Sequence, residues 1–236
     1  LAAAATLCVN PPTALGLLED FVDVKAGGQA GERAPAIVAQ TGATSAVGQL
    51  VIQLAHHWGA KTINVIRDRP DWDDTCAWLQ AMGADLVTTE ARARHDAAEA
   101  GLHAGAALAL DCVGGTACAS VARLLRPGGT LVSYGAMSLQ PVTVPASLLI
   151  FKDIRVRGYW LSGRRRQRRG AGGDGGADED EDLLARREML DRAASLFLQG
   201  VWRAPPAETF PLSEVGRGVA RAREGKTRTK VLLVPG

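Results

Sequence analysis

The first chemistry legible in this chain lies in ten residues, Thr41 to Leu50, TGATSAVGQL, set between the apolar runs APAIVAQ and VIQLAHHW. At a glycine turn between a strand and a helix, backbone N–H groups and the helix dipole converge on an anion. Gly42 permits a tight turn out of the strand, and Gly48 permits close packing of helix on sheet. Between them, where the commonest dinucleotide motif has glycine, stands Ser45. Glycine is not required there. Ala43, Thr44, Ser45 and Ala46 are small and keep the approach open, and the hydroxyls of Thr44 and Ser45 add donors. The turn is expected to hold a pyrophosphate. The plain alternative is a small-residue turn with no ligand.

Nineteen residues after Gly48 the sequence reads Arg67-Asp68-Arg69. That is the place where a carboxylate would hold the ribose 2′-hydroxyl of NAD. Two guanidiniums flank the one acid, and guanidinium grips phosphate oxygens in bidentate fashion. A 2′-phosphate is the better match, so the expected cofactor is NADP(H). In the competing reading Asp68 caps the following helix and the arginines are solvated.

These residues need a frame that brings two strand ends together. Residues 35–41, 62–67, 85–89, 106–115 and 130–135 read as strands, and 46–58, 71–84, 90–105 and ACASVARLL as the helices between them. RPGG (126–129) is read as ending the last of these helices. Near-continuous apolar strands alternating with helices imply a parallel sheet covered on both faces. Right-handed crossovers then give an α/β, doubly wound (Rossmann) fold. The alternating IRVRGYW predicts a sixth or edge strand. The expected organisation is a linker helix region over 1–26, the dinucleotide-binding domain over 27–162, a charged low-complexity loop over 163–182, and C-terminal helices with a closing strand over 183–236.

Composition excludes several partners. Of 236 residues, 47% are hydrophobic and 22% charged, and 27 basic residues nearly balance 25 acidic ones. Neither nucleic acid nor a membrane is expected. The block RRRQRR is answered at once by the acidic run DEDED, and no aromatic residues interleave it. No apolar segment reaches the ~18–20 residues of a membrane helix. Cys8, Cys76, Cys112 and Cys118 form no CxxC and have no histidine at ligand spacing, so no metal site is expected.

Together AATLCVNPPTALGLLEDF, GATSAVGQLVIQLA, KTINVIRDRPD, LDCVGG, LVSYGAM and SLLIFKDIRVRGYWLS resemble the mitochondrial trans-2-enoyl-thioester reductases of the medium-chain dehydrogenase/reductase superfamily. The resemblance runs from residue 1 to about 163 and resumes weakly to 236. It implies NADPH-dependent reduction of enoyl thioesters on coenzyme A or acyl carrier protein, in the mitochondrial matrix, by a homodimer. By position it implies that Asn10 lines the nicotinamide site. Thr44, Ser45, Ala46 and Val47 would hold the pyrophosphate, and Arg67, Asp68 and Arg69 the 2′-phosphate. Tyr134, Gly135, Ala136 and Met137 would pass beneath the cofactor. Tyr159, Trp160 and Leu161 would close over the nicotinamide, and Lys230 would reach a phosphate.

Blander roles stand beside these: a helix cap for Asn10, sheet-edge packing for Tyr159 and Trp160, a solvated Lys230. In the resembled family the tyrosine that donates or positions the proton lies in a preceding barrel-like domain. Neither Tyr134 nor Tyr159 matches it, so no catalytic residue is assigned in this chain, which reads as a piece of something longer. An NADPH-binding assembly subunit and a quinone or alkenal reductase are the rival functions.

Overall fold

The computed structural model describes residues 2–25, 34–163, 179–224 and 229–235. Helices α1 (Ala2–Thr6) and α2 (Asn10–Glu19) lead to strand β1 (Ile37–Thr41). There follow α3 (Ala46–His57), β2 (Lys61–Val65), α4 (Trp72–Gln80), β3 (Leu86–Thr88), α5 (Ala93–Glu99), β4 (Ala106–Asp111), α6 (Gly115–Arg123) and β5 (Leu125–Ser133). Beyond lie α7 (Ala146–Lys152), β6 (Arg155–Gly158), α8 (Glu179–Leu198), β7 (Ala207–Pro211), α9 (Val215–Arg223) and β8 (Lys230–Val234).

Six strands form one parallel sheet in the order β3-β2-β1-β4-β5-β6. Strand order therefore reverses between β1 and β4, which is where a doubly wound sheet opens a crevice at its carboxyl edge. The expected α/β fold is the one observed. β1 and β4 are buried along their whole length, as central parallel strands with helices on both faces must be. Alternate side chains serve opposite cores. Val38, Leu108, Leu110 and Val132 pack with α2, α3 and α8, whereas Ile37, Ala39, Ala109 and Leu131 pack with α5, α6 and α7.

α3 carries Val47, Leu50, Val51 and Leu54 at helical spacing, and all four are buried. It stops because Gly59 takes φ +75°, which lets the Ala60 N–H reach back to the Ala55 carbonyl at 2.9 Å. Trp202, 2% exposed, clamps α8's end to α3: its indole N–H donates to the Leu50 carbonyl at 2.9 Å and its ring lies 5.6 Å from Phe197.

Several expectations are corrected. RPGG does not merely end a helix. β5 begins at Leu125 and runs through it, with a register irregularity opposite Ala106 and Leu108. The 90–105 helix shrinks to α5, and ASLLIFK is a helix, α7. The closing strand β8 does not join the main sheet; it pairs in parallel with β7, which was not expected. The charged run expected as a loop over 163–182 lies outside the described residues from 164 to 178, and from Glu179 the backbone is helical.

Candidate functional site

The turn at the switch point is built by its own short bonds. The Ser45 N–H donates to the Gly42 carbonyl at 2.8 Å, and the Ser45 hydroxyl accepts from the Gly48 N–H at 3.0 Å as cap of α3. Gln49 Nε2 donates to the Thr44 carbonyl at 2.9 Å and holds the loop from the side. Gly42 has φ +60°, and a Cβ there would sit 2.7 Å from Cys112 Sγ. At Gly48 an added Cβ would lie 2.6 Å from the Gly42 carbonyl oxygen and 2.7 Å from Ala43 Cα. Those are backbone atoms that cannot swing aside. Gly48→Ala is therefore expected to cost about 1–3 kcal/mol of stability through overpacking. In a chain of this size that is a fall in Tm of at least ~2–4 °C, read in a thermal melt. An unchanged Tm would show that the turn has slack.

Buried polar groups fix the turn to the sheet. Gln40 Nε2 donates to the Gly48 carbonyl at 3.1 Å and to Asn64 Oδ1 at 2.8 Å. Asn64 Nδ2 donates in turn to Thr62 Oγ1 and the Leu86 carbonyl. Across the switch point, the Thr41 hydroxyl donates to Asp111 Oδ1 at 2.8 Å, and the Cys112 N–H donates to Thr41 Oγ1 at 3.0 Å. Asp111 is fully buried, and its carboxylate also accepts from the N–H groups of Val113 and Gly114. Sequence reading assigned Asp111 no role. Its signal was present: an acid at the end of an apolar strand, followed by two glycines, Gly114 and Gly115, that both take positive φ.

Above these bonds opens a cleft of about 380 Å³ at the carboxyl edge of the sheet. One wall is Thr41, Gly42, Thr44 and Ser45, and Val113, Ala117, Met137 and Ser138 form the other. Val65, Ile66, Arg67 and Arg69 line the β2 end, with Glu90 beyond β3. Asp68 is not on the lining. Its carboxylate folds back to accept the Arg69 N–H at 2.9 Å. Nor does it cap a helix, because α4 starts at Trp72 with Asp71 in the cap position. Sequence reading missed Glu90, whose acid sits in the same cleft as the two guanidiniums.

The structure thus brings Thr44, Ser45, Arg67, Arg69 and Met137 together, with Ala46 and Val47 at the helix start behind them. The remaining expected residues are not on the cleft lining. Asn10 begins α2 with Val9 in the cap position, so it is not a cap. Gly135 lies against Cys112, where an added Cβ would be 3.1 Å from the Cys112 carbonyl, and Ala136 is exposed. The Tyr134 hydroxyl is shut off from solvent beside Cys112 and Ser45. Burial, then the neighbouring Cys112, pushes its phenol well above the ordinary tyrosine range.

Tyr159 is 7% exposed and turned toward α2, edge-on to Phe21 at 6.0 Å and over Gly16. The period-two chain leaving β6 explains this: the Tyr159 N–H bonds to the Ser133 carbonyl at 2.9 Å, its ring points inward, and Trp160 points out at 61% exposure. Leu161 packs on the core cluster of α2 and α3. Lys230 opens β8 in the second sheet, where its N–H bonds to the Pro206 carbonyl.

Chemically, the cleft offers helix-start amides, two hydroxyls and two guanidiniums to a phosphorylated ligand. Metal donors are a poor fit. Among the described residues the one close group is His95, Asp96 and Glu99 on the surface of α5, and Asp96 is already held by Thr88 and Arg92.

Comparison with known proteins agrees with this geometry. The family model described as zinc-binding dehydrogenase matches residues 46–171. The mitochondrial enoyl-[acyl-carrier-protein] reductase of Rattus norvegicus is 40% identical over 235 residues, covering 99% of this chain and 57% of the rat protein. The solved complex of Etr1p with NADP and crotonyl-CoA superimposes with TM-score 0.78 at 29% identity, over 98% of this chain and 61% of that one. A mitochondrial 2-enoyl thioester reductase Etr1p/Etr2p heterodimer from Candida tropicalis gives TM-score 0.76 at 29% identity, over 94% and 59%. This chain spans about half the length of the curated relatives it matches. With that match over more than half its residues, and the doubly wound sheet behind it, the chain belongs to the zinc-binding dehydrogenase family.

Proposed function

We propose that this chain is the cofactor-binding part of a mitochondrial NADPH-dependent reductase that converts trans-2-enoyl thioesters, on coenzyme A or acyl carrier protein, to saturated thioesters. The observation that carries the reading is one cleft with a capped glycine turn at one end and Arg67 and Arg69 at the other. The relatives' names supply the substrate class.

The turn's own bonds use the amides of Ser45, Gly48 and Gln49. The first amides of a helix have no partner inside it, so those of Ala46 and Val47 serve an outside oxyanion. Arg67 and Arg69 hold the 2′-phosphate. Thr44 and Ser45 add hydroxyls to the pyrophosphate. Met137 and Ser138 close the opposite wall, held there by Met137 N–H to Cys112 carbonyl at 2.9 Å and Ser138 N–H to Val113 carbonyl at 3.0 Å. NADPH, when bound, supplies hydride; the chain's task is to bind and orient it and to keep its 2′-phosphate distinguishable from a hydroxyl. Asn10, Tyr134, Tyr159, Trp160, Leu161 and Lys230 then act at one remove from this cleft, as walls and supports. The test is product analysis: full-length protein with NADPH and crotonyl-CoA is expected to give butyryl-CoA, and unchanged substrate would overturn the reading.

A second copy is the proposed partner, docked on β6. Every residue of Arg155–Gly158 is exposed, and among the described residues the strand pairs only with β5. An open edge strand is an association hazard unless covered. Beside it, Ile150 and Phe151 of α7 are 70% and 81% exposed. Light scattering at micromolar concentration is expected to report a dimer; a clean monomer would count against it.

A further inference from the structure

A second cavity opens at the opposite, amino edge of the sheet, with a volume of about 270 Å³. Its basic lining comes from four separate places. Arg94 is on α5, His103 follows α5, Arg123 and Arg126 straddle the α6–β5 junction, and Lys152 ends α7. No carboxylate is among the lining residues. Ile63, Ala97 and Leu125 form an apolar floor.

Part of this charge has a structural reason. Lys152 Nζ donates to the carbonyls of Arg123 at 3.2 Å and Leu125 at 2.6 Å, closing off the end of α6. Arg123 lies in the last turn of that helix, where a cation suits the dipole. Arg94 has no such reason. It sits in the first turn of α5, the end where positive charge is unfavourable. Among the described residues neither Arg94 nor Arg123 has a salt-bridge partner. Burial, and then the like charge of Arg94, pull the Lys152 ammonium below the ordinary lysine range. The fold therefore gathers basic side chains around a hollow, and among the described residues two of them, Arg94 and Arg123, have no acid beside them.

We propose that this cavity binds a phosphate-bearing small molecule, at a site separate from the nucleotide cleft. Guanidiniums approaching from α5 and α6 grip phosphate oxygens from two sides, which neither could do alone. The volume is close to the ~300 Å³ lower end of small-molecule sites, and the apolar floor takes the organic part. The two sites lie at opposite ends of the same parallel strands, so one ligand of this size does not span both. The inference goes beyond the reductase reading and does not depend on it.

The test is calorimetric titration of full-length protein with inorganic pyrophosphate and, separately, with phenyl phosphate, which adds an apolar group. Three proteins are compared: the parent, Arg94→Gln/Arg123→Gln and Arg67→Ala/Arg69→Ala. All four arginines except Arg69 are exposed, so folding is not at stake in the first variant. Binding is expected to survive the cleft variant and to weaken at least ~10-fold in Arg94→Gln/Arg123→Gln, as charge-assisted bonds are lost. Tighter binding of phenyl phosphate than of pyrophosphate identifies an organic phosphate as the ligand, and the reverse a free oxyanion. No heat with either probe in the parent overturns the proposal. So does binding that vanishes in the cleft variant and persists in Arg94→Gln/Arg123→Gln, which would assign the anion to the nucleotide cleft.

Discussion

On the proposed reading, these 236 residues by themselves are expected to bind NADPH but to reduce a trans-2-enoyl thioester at least ~10²-fold more slowly than a chain that also carries the barrel-like domain of the resembled family. Addition at the β-carbon builds negative charge on the thioester oxygen and α-carbon. That charge needs a positioned proton donor, and one general acid typically contributes ~10²- to 10⁴-fold. The chain has two tyrosines. Tyr134 holds its proton in a site closed to solvent, where burial and Cys112 raise its pKa. Tyr159 is committed to packing on Phe21 and Gly16. Neither lines the cleft. Stopped-flow loss of NADPH absorbance, with and without the barrel-like domain, checks this. Comparable turnover would place the donor among these residues, and Tyr159→Phe would then be the first variant to make.

The second large effect concerns Arg67→Ala/Arg69→Ala. Charge-assisted hydrogen bonds contribute roughly 1.5–3 kcal/mol each. Arg67 is exposed and Arg69 half-buried, which places the pair at the lower end of that range. One bond lost from each arginine is then about 3 kcal/mol, a ~100-fold rise in Kd for NADPH. NADH has no 2′-phosphate and should lose little. Glu90 on the same lining opposes the phosphate, so it cannot compensate for the missing guanidiniums. Fluorescence titration reads both nucleotides. An equal loss for NADPH and NADH would show that the substitutions damaged the cleft instead of removing a phosphate contact.

Much of this was legible because its determinants are local. β-branched runs such as TINVI and apolar spacing in VGQLVIQLA declare strand and helix within a few residues. The turn needs only Gly42, Ser45 and Gly48, all within seven positions of one another. The arginines follow at the distance a βαβ unit sets. What escaped the sequence depends on partners far away in the chain. RPGG looks like a stop signal, yet Gly129 lies against the Ala106 carbonyl, 3.1 Å from where a Cβ would be, and the sheet draws β5 through it. β7 exists because β8 pairs with it. Tyr159 reads as a lid until α2 supplies Gly16 as the surface it packs on. Asp111 escaped because its partners, Thr41 and the amides after β4, meet only when β1 and β4 pair.

The central claim is that this cleft is shaped for a nucleotide bearing a 2′-phosphate. Its most direct test is the ratio of Kd values for NADPH and NADH in the unmutated protein, measured by fluorescence titration in one buffer at fixed ionic strength. The structure predicts NADPH tighter by ~100-fold, the worth of two charge-assisted contacts. Equal affinities would contradict it.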